Sequence, residues 1–284
     1  MMAAEGGNII IRFTYTGEEN IPREATHIFV DVAVILANAF DRHPHIVEVK
    51  CHDRIENIET RAFSFCPSLR RVVMPGVKEV ERYAFNNCPA LTDVECGKLE
   101  IIKHIAFARC KSLKSINLPS ARIIEAYAFS RCEALVEVKF SKKLERIDGG
   151  TFYNCKSLER ITIPLKDGLF THDNTFQLCE WLKQVDLIER AELQEFISAL
   201  QLEEWRNDMY EVIDSINQTL PTTNAGYWMI SDNNHEDYGE KAQVIRRWIR
   251  SVLGKIIVYQ AEHQQILNEA ASTIRLVLPG DVLL

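Results

Sequence analysis

One short string recurs seven times along the first two thirds of this 284-residue chain, and its spacing leaves few folds open. The string is Ala-Phe-Ser-Phe-Cys-Pro-Ser-Leu around Phe63, with close copies around Phe85, Phe107 and Phe129. Copies around Phe152 and Phe176 open with threonine, and the copy around Phe40 carries His43 in the cysteine position. Successive phenylalanines lie 23, 22, 22, 22, 23 and 24 residues apart. A period this short and this steady means stacked units, none of which can bury its apolar face alone.

Other columns keep the same period. Ile46, Leu69, Leu91, Leu113, Leu135, Leu158 and Leu182 are each followed three residues on by Val49, Val72, Val94, Ile116, Val138, Ile161 and Val185. Two residues later come Cys51, Met74, Cys96, Leu118, Phe140, Ile163 and Leu187. Alternation with period 2 predicts a short strand per unit with those residues facing inward. Pro75, Pro119 and Pro164 end strands at a common position. The Ala-Phe segment, with apolar residues five and eight positions before the phenylalanine in the copies from Phe40 to Phe152, reads as a tight helical or 3₁₀ turn. Stacking then lines the phenylalanines up as a ladder through the core.

The composite pattern Ile-x-x-x-Ala-Phe-x-x-Cys-x-x-Leu-x-x-Ile-x-x-Pro resembles the BspA-type (treponemal-type) leucine-rich repeat over Val32 to Ile188. That resemblance implies an α/β solenoid: a right-handed, curved stack of about seven units of 22–24 residues, parallel strands on its concave face. The chain then divides into an N-terminal β cap (1–31), the repeats (32–188) and an α-helical C-terminal region (189–284).

The register also decides what the cysteines are for. Cys66, Cys88, Cys110, Cys132, Cys155 and Cys179 fill one repeat column, and Cys51 and Cys96 fill an inward strand column. All eight read as small buried hydrophobes, reduced and structural. A one-dimensional ladder supplies no tetrahedral ligand set, so neither the cysteines nor the His43-Pro-His45 string is expected to hold a metal. No phosphate-binding glycine loop, paired-carboxylate motif or catalytic histidine context is present. The expectation is a protein that is not an enzyme and uses no cofactor.

In a leucine-rich repeat, the strand residues that do not face inward cover the concave surface. Here they are Glu48, Arg71, Asp93, Ser115, Glu137, Arg160 and Gln184, alternating with Lys50, Val73, Glu95, Asn117, Lys139, Thr162 and Asp186. Both signs of charge are mixed and neither column holds an aromatic residue, which suits a protein or peptide partner, or an ordinary solvated face. Arg71 and Arg160 are the residue type that most often anchors an interface. A net charge of -7 and the absence of a basic, aromatic-studded stripe argue against nucleic acid or an anionic membrane. The N-terminus lacks the pattern of a signal peptide, so a cytoplasmic location is expected.

Beyond Ile188 the period vanishes. Leu193, Ile197, Leu200, Trp205, Met209, Val212, Ile216 and Leu220 predict an amphipathic helix over roughly 190–220. A second helix is expected over about 240–272, with Gly254 a place for it to bend. Acidic residues on the first and Lys241, Arg246, Arg247, Arg250 and Lys255 on the second favour an antiparallel hairpin. Tyr227 to Ile230 are expected to pack back onto the protein. This region reads either as a cap or as a separate partner-binding or self-associating module. Asn217-Gln-Thr219 is a sequon without a secretory context, and the terminal Leu278-Pro-Gly-Asp-Val-Leu-Leu284 resembles the opening of an F-box. The leading reading is an interaction scaffold. A surface adhesion protein and, more remotely, a ubiquitin-ligase adaptor fragment stand behind it.

Overall fold

The computed structural model describes residues 2–5, 8–17, 20–220 and 240–277. Its strands begin with β1 (Met2–Glu5), β2 (Asn8–Tyr15), β3 (His27–Val30), β4 (Val34–Ile35), β5 (Glu48–Cys51), β6 (Asn57–Ile58), β7 (Arg71–Val73) and β8 (Glu79–Val80). They continue as β9 (Asp93–Glu95), β10 (Ile101–Ile102), β11 (Ser115–Asn117), β12 (Ile123–Ile124), β13 (Glu137–Lys139), β14 (Arg146–Ile147), β15 (Arg160–Ile163) and β16 (Gln184–Leu187). Helices α1 (Arg190–Ala199), α2 (Glu203–Thr219) and α3 (Glu240–Val277) complete the described chain.

The longer strands stack in parallel in the orders β2-β3-β5-β7-β9 and β11-β13-β15-β16, with β1 antiparallel on the N-terminal edge. Pairing is interrupted between β9 and β11, where the two stacks abut. The two-residue strands form a second parallel sheet, β4-β6-β8-β10-β12-β14, which runs on across that break. It holds the apolar residues five positions before each phenylalanine, from Ile35 to Ile147, all of them fully buried. Each turn of the solenoid, called a rung here and named by its phenylalanine, is therefore walled by two sheets and by the Ala-Phe turn.

The phenylalanines do form a ladder. Adjacent rings from Phe40 to Phe176 are stacked at centroid separations of 4.7 to 5.8 Å with interplanar angles between 2° and 8°. Both ends are closed by a ring turned edge-on, Tyr15 against Phe40 at 5.0 Å and Phe170 against Phe176 at 5.3 Å. The cysteine column lies beside it, and its thiols do more than fill space. Each donates to the carbonyl of the phenylalanine one rung back, from Cys66 to Phe40 O at 3.1 Å through Cys179 to Phe152 O at 2.9 Å. Burial pushes the Cys110 thiol up to about 12, far from a reactive thiolate. His43 makes the equivalent contact at the first rung, its Nε2 lying 3.0 Å from Pro22 O.

The Ala-Phe segment differs from the expected helical turn. Residues two before and two after the phenylalanine sit in the left-handed region, as Arg61 (φ 59°) and Phe65 (φ 57°) do around Phe63. A right-handed helix cannot contain them. Their amides bond to the next rung instead: Arg61 N to Arg82 O at 3.0 Å, Phe63 N to Ala84 O at 2.7 Å and Phe65 N to Asn86 O at 2.8 Å. The intervening amides close local turns, such as Ala62 N to Glu59 O at 3.1 Å. Alternation of local and inter-rung bonds makes this a third ladder between units, and it satisfies backbone that a one-turn helix would leave open. Only the last copy, Asp173–Phe176, is a 3₁₀ helix.

Two further differences concern the ends. The expected single helix over 190–220 is two, parted at Leu200–Leu202, where Leu200 is extended (ψ 134°) and buried. The step of five from Leu200 to Trp205 swings the apolar stripe off one face, so the chain breaks to keep both Ile197 and Met209 inside. Helix α3 runs unbroken through Gly254 to Val277. The expected contacts of Tyr227 to Ile230 and the F-box-like terminus lie outside the described residues.

Candidate functional site

The concave strip is built by alternation alone. Along β5, Val49 and Cys51 turn inward while Glu48 and Lys50 turn out, and the same phase holds on every strand to β16. All twelve charged or polar candidates stand on this outer side. Lys50, Arg71, Asp93, Glu95, Asn117, Lys139 and Arg160 are exposed, and Glu48, Glu137, Thr162, Gln184 and Asp186 are half-buried.

The charges are grouped rather than mixed evenly. Arg71 bonds the Glu95 carboxylate and lies 3.2 Å from Asp93 and 3.9 Å from Glu48, with Lys50 at 3.5 Å from Glu48. The Glu95 hydrogen bond and the surrounding carboxylates hold the Arg71 guanidinium above its ordinary pKa. A second group joins Arg160 to Asp186 at 3.3 Å, Gln184 to Asp186 at 3.1 Å and Lys139 to Glu137 at 3.1 Å. Between them lie Ser115 and Asn117, exposed and outside both groups, beside the break between β9 and β11. Both arginines singled out from the sequence are thus already faced by carboxylates. Exposed pairs of this kind contribute little to stability and fix orientation more than affinity.

Part of the strip lies outside the columns that the repeat defines. Strand β3 pairs in parallel with β5, His27 opposite Glu48 and Phe29 opposite Lys50. It therefore extends both outer columns by a strand, and β2 extends them again through Arg12 and Thr14. Phe29 is 43% exposed, an aromatic side chain at the end of a face expected to have none. A signal for it exists: Ile28 and Val30 alternate as Val49 and Cys51 do, one period upstream, and both are buried. It is obscured because that unit lacks the Ala-Phe string.

The helices grip the last rung through single side chains. Lys241 is buried, and its ammonium donates to Cys179 O at 2.6 Å, Glu180 O at 3.1 Å and Leu182 O at 3.1 Å. Asn217 Oδ1 accepts Val185 N at 3.0 Å, on the outer edge of β16. Helices α2 and α3 are antiparallel, Trp248 Nε1 donating to Val212 O at 2.7 Å and Tyr259 stacking on Trp205 at 5.2 Å. The basic residues of α3 serve the hairpin less than their charge suggested. Arg246 pairs with Asp173 and Arg250 with Asp167 at 2.9 Å, both on the last repeat, while Lys255 reaches Asp208 on α2.

Among the described residues no group of three or more His, Cys, Asp or Glu could hold a metal, and no helix is long and apolar enough to cross a membrane.

A family model of the BspA-type leucine-rich repeat region matches in six copies over residues 33–121 and 100–204. The chain belongs to the BspA-type leucine-rich-repeat family. Among solved structures it is similar to a leucine-rich-repeat protein of T. pallidum, at 30% identity over 49% of this chain and 69% of that one, with a TM-score of 0.44. It is also similar to a leucine-rich-repeat protein from Bacteroides ovatus, at 20% identity over 66% and 67% of the two chains and a TM-score of 0.30. A leucine-rich cell-surface protein from Faecalibacterium prausnitzii shares 16% identity over 68% and 88%, with a TM-score of 0.25. No curated protein matches. Leucine-rich-repeat proteins in general bind proteins and are not enzymes.

Proposed function

We propose that this chain is a non-enzymatic scaffold whose concave strip, from Phe29 to Asp186, binds a protein or peptide partner in a reducing, cytoplasmic setting. The observation that carries the reading is the division of the strip. Two charged groups flank the uncharged Ser115 and Asn117, and an exposed phenylalanine stands at one end. An interface anchored on an aromatic ring with charges set around an uncharged centre has the layout of a specific contact. The reducing setting rests on eight buried, unlinked thiols, six of which are bonded to carbonyls of the preceding rung.

Deleting the helices is a poor test, because it strips Lys241 and Asn217 from the last rung. The full chain serves instead as bait in quantitative affinity capture, compared with Ser115→Trp and Phe29→Ala. Partners recovered with the parent and lost with both variants, but kept by Tyr210→Ala on the outer side of α2, support the concave site. Equal recovery by all three variants removes it.

A further inference from the structure

The turn side of the solenoid carries a surface quite unlike the concave strip. On rungs Phe63 to Phe152, a row of rings crosses the outside of the Ala-Phe turns. The Arg61 guanidinium lies over the Tyr83 ring at 5.4 Å, Tyr83 meets His104 at 5.9 Å, His104 meets Tyr127 at 6.0 Å, and Tyr127 meets Tyr153 at 6.4 Å. Tyr127 leans across Gly150, where an added Cβ would come within 2.4 Å of its ring, so that glycine is what lets the row continue. Alongside, on the left-handed position after each phenylalanine, Arg109 and Arg131 are exposed.

Three observations set this ridge apart. The first is backbone conformation: Arg61, Tyr83, Tyr127, Arg109 and Arg131 all hold φ between 59° and 62°. A residue with a Cβ is disfavoured there relative to the right-handed form. The fold accepts cheaper residues at equivalent positions, since Asn38, Asn87, Asn154 and Gly150 occupy them. Arginine and tyrosine, the types that dominate interface energetics, fill five of the ten such positions on these rungs, beside Phe65, Asn87, Ile105, Gly150 and Asn154.

The second is charge. Arg71 and Arg160 on the concave strip both face carboxylates, whereas Arg61, Arg109 and Arg131 form no ion pair among the described residues. These arginines without an ion pair sit in a chain whose net charge is -7. The third is ring geometry. Tyr83, His104 and Tyr127 meet at 87° and 89°, so they offer alternating faces and edges instead of the parallel platforms on which successive bases stack.

We propose that the turn ridge from Arg61 to Tyr153 is a second docking surface, separate from the concave strip, for an acidic, extended segment of a partner protein. Guanidinium forks at Arg109 and Arg131 take its carboxylates, and the outer faces and edges of the crossed rings take its apolar side chains. Rungs about 4.8 Å apart make the row from Tyr83 to Tyr153 roughly 15 Å long, the reach of about five extended residues.

The test is selection of random peptides of about 12 residues on the immobilised full chain, then fluorescence anisotropy of the enriched peptides. Enriched sequences should be rich in Asp and Glu and bind more weakly as salt rises. Their Kd should rise about tenfold or more for R109E/R131E and for Y83A/Y127A, and stay unchanged for R71E on the concave strip. R109Q/R131Q, which leaves no reversed charge on the turn, is the second variant and should weaken binding in the same direction if the reversal lowers the melting point. Enriched peptides without acidic bias, or acidic peptides held equally well by every ridge variant, would overturn the proposal. So would an oligothymidylate that displaces the peptides at lower concentration, or a dimer in sedimentation that only the ridge variants dissociate. Loss of peptide binding in R71E alone would return the site to the concave strip, so the two surfaces fail separately.

Discussion

The repeats and the helical end face the same problem, unpaired backbone at the edge of a rung, and answer it by opposite means. Inside the solenoid the next copy supplies the partners: a carbonyl for each phenylalanine amide, a thiol for each phenylalanine carbonyl, a strand on either sheet. Where the copies stop, individual side chains take over, with Lys241 on three carbonyls and Asn217 on one amide. The solenoid spreads its stability over many equivalent contacts, while its end depends on a few that occur once.

The comparison is open to breakage at several points. The largest effect is expected in the repeats, because a central ring touches a neighbour on either side. Phe107→Ala should lower unfolding free energy by about 3–5 kcal/mol in denaturant melts; a loss under about 1 kcal/mol would mean the ladder is decoration. At the end, Lys241→Met keeps the stem and removes the donor, leaving three carbonyls without it. A cost of about 1–3 kcal/mol is expected, with hydrogen exchange rising first around Val185 and little around Phe107. Uniform exchange across all rungs would show that the end is no more separable than the middle.

A smaller effect belongs to His43, which stands in the thiol column at the opposite end. Burial holds its pKa below the ordinary 6.5, its Nε2 facing Pro22 O and its Nδ1 buried without a partner. The unfolded chain therefore binds the proton more readily, and stability should fall as pH drops below 6.5 and be flat above it. That part of the slope should vanish in His43→Leu, measured by thermal melts at stepped pH. Arg71→Met is expected to change least. It removes an exposed ion-pair group from the concave strip, and the unfolding midpoint should stay where it is while partner binding changes. A large drop in midpoint would make that strip structural.

Much of this fold is legible in the repeat itself. The phenylalanine, leucine and valine columns name the rung, its inward residues and its outer face, because a residue repeated at one period must meet its own copy in the next unit. The twelve outer residues are legible for the same reason. Phe29 is not, since β3 belongs to the sheet by pairing and lacks the string that marks a unit. The third ladder is not legible either: nothing in Ala-Phe-x-x-Cys states that its flanking residues are left-handed, and Arg61, Tyr83 and Tyr127 are residues that ordinarily avoid that region.

What the sequence determined by itself is the periodic pattern of side chains: unit length, core ladder, buried thiols and the phase of the concave face. Tertiary structure alone decided what occurs once or spans rungs. That includes the break between α1 and α2, the seats of Lys241, Asn217 and Arg246, the pairing of the concave arginines and the row of rings on the turn side. The physical reason is common to all of these. A repeat brings each residue against its own copy, so its neighbours follow from spacing. A lysine that meets carbonyls some 60 positions away is placed only by the packing of the whole chain.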